Sequence, residues 1–193
     1  IAIFAARDVF LFYIVFEAML IPVYFLIGSY GGPRRKAAAL KFLLYSLAGG
    51  LVMLVGVVGV YVLGPGGDQA FLIDTLQDNI AGSAAVQNLL FVSFFIAFAV
   101  KAPMVPVHTW LPDAAQEAPP GVSVLLVGVL DKVGTFGMIA LCLPLFPQAA
   151  VWAAPLICVL AIVSIIYGAL VAVAQRDLMR LIAYTSVSHF GFM

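Results

Sequence analysis

The chain consists mainly of long apolar runs separated by short polar segments. A helix needs about 20 apolar residues to cross the hydrocarbon core of a membrane, so runs of that length predict spans. Five such runs occur, at residues 8–30, 37–64, 86–112, 118–143 and 151–175. A sixth begins near Leu181. The pattern therefore predicts an all-α, polytopic bundle of transmembrane helices that forms a single transmembrane domain.

Glycine, proline and charged residues mark the connections between these runs. Turns are predicted at "YGGPRRK" (30–36), "LGPGG" (63–67), "LPDAAQEAPP" (111–120) and "PLFP" (144–147). Between the second and third runs, "DQAFLIDTLQDN" (68–79) places its apolar residues near helical spacing. A short surface helix and an ordinary loop are both compatible with that segment.

The basic residues of the connections lie on one side of the predicted bundle. Counting alternate crossings puts six of them together: Arg34, Arg35, Lys36, Lys41, Arg176 and Arg180. The connections over 65–85 and 144–150 contain no Lys or Arg, and Arg7 is the one exception on that side. The positive-inside rule then predicts that the loops over 31–41 and 176–180 are cytoplasmic.

Composition agrees with a membrane protein and excludes one other class. The 193 residues are 65% hydrophobic and 9% charged, far from the roughly one-quarter charged residues of soluble proteins. Nine basic and nine acidic residues give no net charge, so no basic surface for nucleic acid is expected. Cys142 and Cys158 lie in apolar runs and are expected to pack as small hydrophobes. With no initiator Met or signal peptide, we expect the sequence to be part of a longer polytopic protein.

Three ionisable residues, Glu17, Lys101 and Lys132, fall near the middle of predicted spans. A charge at the centre of a bilayer costs roughly 2.5–3.5 kcal/mol on insertion scales, so each needs a partner, water or a function. A purely structural alternative is that each side chain forms interhelical hydrogen bonds. One acid and two bases at similar depth favour a functional role.

The segment "VKAPMVPVHTWLP" (100–112) predicts a broken helix around Lys101. Pro103 and Pro106 lack the N–H groups that would bind the carbonyls of Ala99 and Ala102. Broken helix at membrane depth is tolerated where it is buried in protein or lines a hydrated cavity. We therefore expect water beside Lys101.

Glu17 and the two lysines could together form a proton relay. A low-dielectric site favours the neutral form of a lysine, whereas a nearby carboxylate favours the charged form. Movement of Glu17 towards or away from Lys101 would then switch the lysine between holding and releasing a proton. Side chains on a helix lean towards its N-terminus, so the Lys132 stem is expected to lie over Gly128, which leaves free volume.

Two histidines are further pathway candidates. His108, near Asp113 and Glu117, is expected either to pair with the freed carbonyls or to belong to the proton pathway. These three residues lack any recognised metal-ligand spacing, so no metal site is predicted. His189 lies between serines at the start of the sixth run, and its role stays open.

Four segments together resemble a known family. They are "FEAMLIPVYFLIG" (16–28), "VKAPMVPVHTWLPDAAQEAP" (100–119), "GVLDKVGTFG" (128–137) and "RDLMRLIAYTSVSHFGF" (176–192). They closely resemble the antiporter-like, proton-translocating membrane subunits of respiratory complex I. "EAMLIP" and "QEAPPG" most resemble the branch called subunit M, or subunit 4, rather than its sisters L and N.

The resemblance implies an inverted-repeat, antiporter-like fold with a half-channel around each broken helix. It implies that Glu17 and Lys101 are the coupled pair of the first half-channel and that Lys132 passes protons along the central axis. Asp131 departs from the pattern, because many relatives have an apolar residue there. It is expected to pair with a neighbour or to tune the proton affinity of Lys132.

The implied function is proton translocation as a subunit of an NADH-quinone oxidoreductase in a bacterial plasma membrane. NADH, FMN, iron–sulfur clusters and quinone are expected in partner subunits, because this chain shows no ligation pattern for a redox centre. The expected partners are other complex I membrane subunits and the lipid bilayer. Alternatives are a sodium/proton antiporter or membrane-bound hydrogenase subunit, a passive scaffold, and a membrane enzyme using His108, Asp113 and Glu117.

Overall fold

The structure is a computed structural model that describes residues 1–67, 69–77 and 79–193. Helices and short connections make up these residues, with one isolated β-bridge between Asp8 and Leu72. The helices are α1 (Ala2–Ala5), α2 (Val9–Ala18), α3 (Leu20–Tyr30), α4 (Arg35–Leu63), α5 (Ile73–Leu76), α6 (Ala84–Lys101), α7 (Trp110–Glu117), α8 (Pro120–Leu125), α9 (Asp131–Gly137), α10 (Leu143–Leu145), α11 (Pro147–Val173) and α12 (Leu178–Phe192).

Five helical stretches are long and apolar enough to cross a membrane. They cover Val9–Tyr30, Arg35–Leu63, Ala84–Lys101, Pro120–Leu145 and Pro147–Val173. The predicted class, an all-α bundle of membrane helices, is therefore confirmed. The sixth run forms α12, which begins at Leu178, where the carboxylate of Asp177 accepts a hydrogen bond from the Arg180 backbone N–H.

The third predicted span is two helices rather than one. α6 ends at Lys101 and α7 begins at Trp110, so the non-helical segment contains both Pro103 and Pro106. The backbone N–H of Val105, within this segment, donates to Ser164 Oγ on α11 at 2.9 Å. Packing against a neighbouring helix thus satisfies part of the broken backbone.

The fourth span contains two wide, π-helical turns. One covers Leu126–Leu130 and leads into α9, and the other covers Met138–Cys142 and leads into α10. The Asp131 N–H donates to the carbonyl of Leu126, five residues earlier. Such turns occur mostly as single interruptions of α-helices and often lie at functional sites.

Two apolar clusters fill the interior, one towards each end of the bundle. The first contains Phe12, Phe16 and Phe98, and the second contains Phe42 and Trp110. Phe12 and Phe16 pack edge-on against Phe98, whereas the Phe42 and Trp110 ring centroids are 5.3 Å apart. The boundary between the clusters is where α6 ends.

The connection between the second and third spans contains one helical turn. α5 covers Ile73–Leu76 and buries Leu76, and the side chains of Arg7 and Asp74 form an ion pair beside it. Asp68 and Asp78, part of the segment for which helix and loop were both expected, lie outside the described residues.

Candidate functional site

Lys101 is the last residue of α6 and lies between the two apolar clusters. Its side chain is 1% exposed, and its Nζ atom donates to Ser46 Oγ on α4 at 3.1 Å. The Phe16 and Phe42 ring centroids lie 5.2 and 5.3 Å from the same nitrogen. One hydroxyl and two aromatic faces thus surround the ammonium group, an environment in which its charge is incompletely compensated.

Glu17 occupies the end of α2, where α4 leaves space for its carboxylate. That space exists because residue 50 is glycine: a Cβ atom there would lie 2.5 Å from Glu17 Cδ. The Oε1 atom is buried and has no hydrogen-bond partner among the described residues. Glu17 is near enough to Lys101 to interact electrostatically with it. Over residues 1–67, 69–77 and 79–193, neither side chain is in an ion pair, so the two charges are close but not locked together.

Asp131 is the third charged residue in this region. It is 0% exposed, both carboxylate oxygens are buried, and neither has a hydrogen-bond partner in the part of the chain that the structure describes. It is near enough to interact electrostatically with both Lys101 and Lys132. The structure therefore brings together three side chains that the sequence analysis selected on three different helices: Glu17, Lys101 and Asp131.

Lys132 points away from this group, towards α12. Its Nζ atom lies 4.3 Å from the centroid of the Phe190 ring, a cation–π contact. The free space predicted beside Gly128 exists, since an added Cβ would meet no atom within 4 Å. A cavity of about 270 Å³ adjoins Gly128, but Lys132 does not line it. The wide turn over Leu126–Leu130 shifts the lysine from its ordinary helical register and accounts for this difference.

The carbonyls near the break find other partners than those expected. The Ala99 carbonyl accepts a hydrogen bond from the Met104 N–H at 3.1 Å, so the prediction that Pro103 leaves it free is wrong. The Val100 carbonyl accepts one from the Trp110 indole Nε1 at 2.8 Å. Trp110 thus pairs with a carbonyl beside the break, although not with either of the two carbonyls for which His108 was the expected partner.

His108 is buried at 4% exposure. Its ring lies edge-on to Tyr167 and Tyr184, with centroids 5.1 and 6.2 Å away. His189 differs, because it is exposed and lines a groove of about 470 Å³ between α11 and α12. The two histidines therefore lie in different environments, and neither adjoins the Glu17 carboxylate.

The basic loops meet acidic residues at one end of the bundle. Lys41 Nζ lies 2.7 Å from Asp113 Oδ2, and an Arg180 guanidinium nitrogen lies 3.4 Å from Asp113 Oδ1. Glu117 accepts hydrogen bonds from the Arg34 backbone N–H at 2.8 Å and from its guanidinium Nε at 3.4 Å. We call these five residues the loop-face cluster.

These contacts give Asp113 and Glu117 a structural role. Both carboxylates are engaged by basic groups, and they hold the loops of separate spans together. Over the described ranges, no group of three or more His, Cys, Asp or Glu residues is arranged to hold a metal ion.

Sequence reasoning missed three residues that build the site: Ser46, Gly50 and Trp110. Ser46 and Gly50 are one helical turn apart on α4, and they face Lys101 and Glu17 respectively. Both belong to "YSLAGGL" (45–51), a patch of small residues in an otherwise bulky span. Such a patch signals close helix packing, but it does not say which side chain fills the space.

Comparisons of this chain with a family model and with known proteins point to the same family. The family model described as "NADH:quinone oxidoreductase/Mrp antiporter, TM" matches residues 6–193. A protein of Mycobacterium tuberculosis named NADH-quinone oxidoreductase subunit M is 54% identical over 197 residues, which cover 97% of this chain and 35% of that protein. The protein of the same name from Escherichia coli K12 is 46% identical, covering 100% of this chain and 39% of its own length.

Solved structures share the fold. A chain of respiratory complex I from Thermus thermophilus superposes with a TM-score of 0.88 at 40% identity, covering 96% of this chain and 39% of that one. A chain of the Mrp complex from Dietzia superposes with a TM-score of 0.82 at 26% identity, covering 97% and 20% respectively. The expected antiporter-like fold is confirmed, and the chain spans little more than a third of the curated relatives cited above.

Proposed function

We propose that this chain, which belongs to the NADH:quinone oxidoreductase/Mrp antiporter membrane family, is part of a proton-translocating membrane subunit of an NADH-quinone oxidoreductase. Both curated relatives described above carry the name NADH-quinone oxidoreductase subunit M. In this proposal the chain moves protons across the membrane, driven by electron transfer from NADH to quinone elsewhere in the complex.

One observation carries the proposal: Glu17, Lys101 and Asp131 are close together in the bundle interior, and none of them is in an ion pair with another residue that the structure describes. A charge held only to stabilise a membrane protein would be expected to have a fixed partner, because an unpaired buried charge is expensive. Charges that stay buried, close and unpaired suit a site whose protons move.

The proposed relay has Glu17 and Lys101 at its centre. With the carboxylate near, Lys101 is favoured in its ammonium form; with the carboxylate away, burial in a low-dielectric interior favours loss of the proton. The carboxylate is held in space that Gly50 leaves open, and no hydrogen bond fixes its Oε1 atom. Its position can therefore respond to a change elsewhere in the protein.

We place the other candidate residues around this pair. Lys132 would pass protons onward along the bundle, and His108 would lie on the path from the loop-face cluster towards Lys101. His189, in the groove between α11 and α12, would belong to the continuation of the path beyond this chain. The loops over 31–41 and 176–180 would be cytoplasmic in a bacterial plasma membrane, and the redox cofactors would bind partner subunits.

The test uses the assembled complex that contains the full-length subunit, reconstituted in vesicles. Replacing Lys101 or Lys132 with Met should lower proton translocation about tenfold or more, as expected when a proton-transfer group is removed. Replacing Glu17 with Gln should lower it as well. Lys36→Met is the matched control, because Lys36 is an exposed lysine in the first turn of α4. A Lys101→Met complex that assembles and translocates protons like Lys36→Met would instead support a passive scaffold.

A sodium/proton antiporter subunit is the second candidate. The family model includes Mrp antiporters, and the Mrp chain superposes closely. Translocation measured with and without sodium separates the two candidates. Proton movement that persists at full rate without sodium favours the oxidoreductase subunit, whereas a strict sodium requirement favours the antiporter.

A further inference from the structure

We propose that Asp131 is the carboxylate that carries the proton between Lys101 and Lys132, an inference that rests on the proposed proton translocation. In the relay described above, the two lysines face different parts of the bundle. Lys101 contacts α4 and the ring of Phe16, whereas Lys132 contacts the ring of Phe190. A group between them is needed if a proton is to pass from one to the other.

The backbone places Asp131 on the face of α9 that packs against α6. Gly134, three residues later and therefore on the same face, is in tight contact with the end of α6. A Cβ atom at Gly134 would lie 2.5 Å from the Ala102 backbone nitrogen and 2.7 Å from the Phe98 carbonyl oxygen. Ala102 follows Lys101 directly, so Asp131 lies against the segment that holds this lysine. Lys132, the next residue along α9, is turned away by the helical rotation of about 100° per residue.

The carboxylate itself is not held by a structural partner. Both oxygens are buried without a hydrogen bond to any described residue, although the carboxylate is within electrostatic range of two lysines. A purely charge-compensating aspartate would be expected to pair directly with an amine, as Asp113 does with Lys41. The proposal requires a side-chain rotation or a bridging water to bring Asp131 into hydrogen-bond contact with each lysine in turn.

The transfer consists of two balanced steps. In the first, an Nζ–H bond of the Lys101 ammonium breaks and an Oδ–H bond forms on Asp131, which leaves a neutral amine and a neutral carboxylic acid. In the second, that O–H bond breaks as Lys132, in its neutral form, accepts the proton and becomes an ammonium. The low dielectric of the interior makes the neutral pair of the intermediate state less costly relative to the ion pair than it is in water.

The test compares Asp131→Asn, which keeps the shape and removes the acid, with Asp8→Asn in the same assembled complex. Asp8 caps α2 by accepting a hydrogen bond from the Leu11 N–H at 2.7 Å, a role that asparagine can take, so this control changes the charge equally. Two quantities are measured: protons translocated per NADH oxidised, and the infrared difference spectrum between resting and turning-over enzyme. A protonated carboxylic acid gives a C=O stretching band that an ionised carboxylate does not.

We expect Asp131→Asn to lower translocation about tenfold and to remove a carboxylic-acid band that Asp8→Asn retains. Translocation equal to that of Asp8→Asn overturns the inference, and so does a band that persists unchanged in Asp131→Asn. If the Asn variant does not assemble, Asp131→Glu decides, because it should keep translocation and shift the band frequency; an unshifted band overturns the inference.

The Lys101→Met variant distinguishes a failure of this inference from a failure of the proposed function. If Lys101→Met translocates normally, the relay itself is wrong. If Lys101→Met stops translocation while Asp131→Asn does not, the relay holds and only the role of Asp131 is refuted.

Discussion

The chain contains two groups of charged residues that are built in opposite ways. In the loop-face cluster, every carboxylate lies against a basic group, and the Lys41 and Asp113 side chains are both about one-third exposed. In the interior, Lys101 and Asp131 are almost fully buried, and neither forms an ion pair within the described ranges of the chain.

The difference shows that, among the described residues, the most deeply buried charged side chains are not the ones that form ion pairs. Exposed ion pairs contribute little to stability, typically about 0–1 kcal/mol, and they orient loops. Buried charges without partners lower stability, so their presence is better explained by what they do. If the interior group is functional, changes there should reduce transport or assembly strongly, whereas changes in the loop-face cluster should have small and salt-dependent effects.

Gly134→Ala should have the largest effect among these changes. The new methyl group would overlap the backbone at Ala102 and the Phe98 carbonyl, so α9 and α6 would have to separate. Overpacking of this kind costs about 1–3 kcal/mol and occasionally more. We expect a lower yield of assembled complex, measured by native electrophoresis, and a lower Tm in detergent.

Gly128→Ala provides the control for that change. It adds the same atom one and a half turns earlier in the same span, where nothing lies within 4 Å. Equal yields and equal Tm values for the two variants would show that the contact between α9 and α6 is not tight.

Gly50→Ala should have the next largest effect, and it should act on transport. The added methyl group would occupy the space of the Glu17 carboxylate, which must then rotate away from its present position. Displacing a reacting group by about 1 Å can cost up to about a hundredfold in rate; we expect about a tenfold loss of proton translocation.

The matched control for Gly50→Ala is Gly28→Ala, whose methyl group would meet Ala39 Cβ at an ordinary 3.5 Å. The prediction concerns translocation in complexes that assemble equally. Normal translocation by Gly50→Ala would mean that the position of Glu17 is not critical. It would contradict the view that the interior charged group is kept for transport.

Asp113→Asn should have the smallest effect. It removes the ion pairs with Lys41 and Arg180, each partly exposed, so we expect a loss of about 0.2–1 kcal/mol per pair. Salt screens such pairs, and the difference in Tm from the unmodified protein should therefore shrink as ionic strength rises. Translocation lost to the same extent as in Lys101→Met would place Asp113 in the relay and contradict the comparison.

The membrane helices and the break after Lys101 could be predicted from sequence because each depends on a local property. Span length follows from runs of apolar residues, and the break follows from two prolines close together. The selection of Glu17, Lys101 and Lys132 also depended on a local property, namely charge within an apolar run, whereas Asp131 was singled out because it departs from the family pattern. The proximity of Glu17, Lys101 and Asp131 could not be predicted in this way, because it depends on which faces of three helices meet.

The partners of these residues were not predictable for the same reason. Nothing in the sequence marks Ser46 as the hydrogen-bond partner of Lys101, since the two residues are 55 positions apart. The indole of Trp110 pairs with the Val100 carbonyl only because the broken segment folds back on itself. The wide turn before Asp131 contains neither proline nor an unusual residue pattern, and its effect on the direction of Lys132 was therefore missed.

The wide turn over Leu126–Leu130 also affects how this span tolerates changes in length. A π turn holds one residue more than the α-helical turn it replaces, and the helices on either side keep nearly the same relative orientation. Deleting a single residue there would convert the bulge into regular helix and leave Asp131 and Gly134 on the surface they now share. The same deletion inside α9 would rotate everything that follows, so this segment is where insertions and deletions in the span are best absorbed.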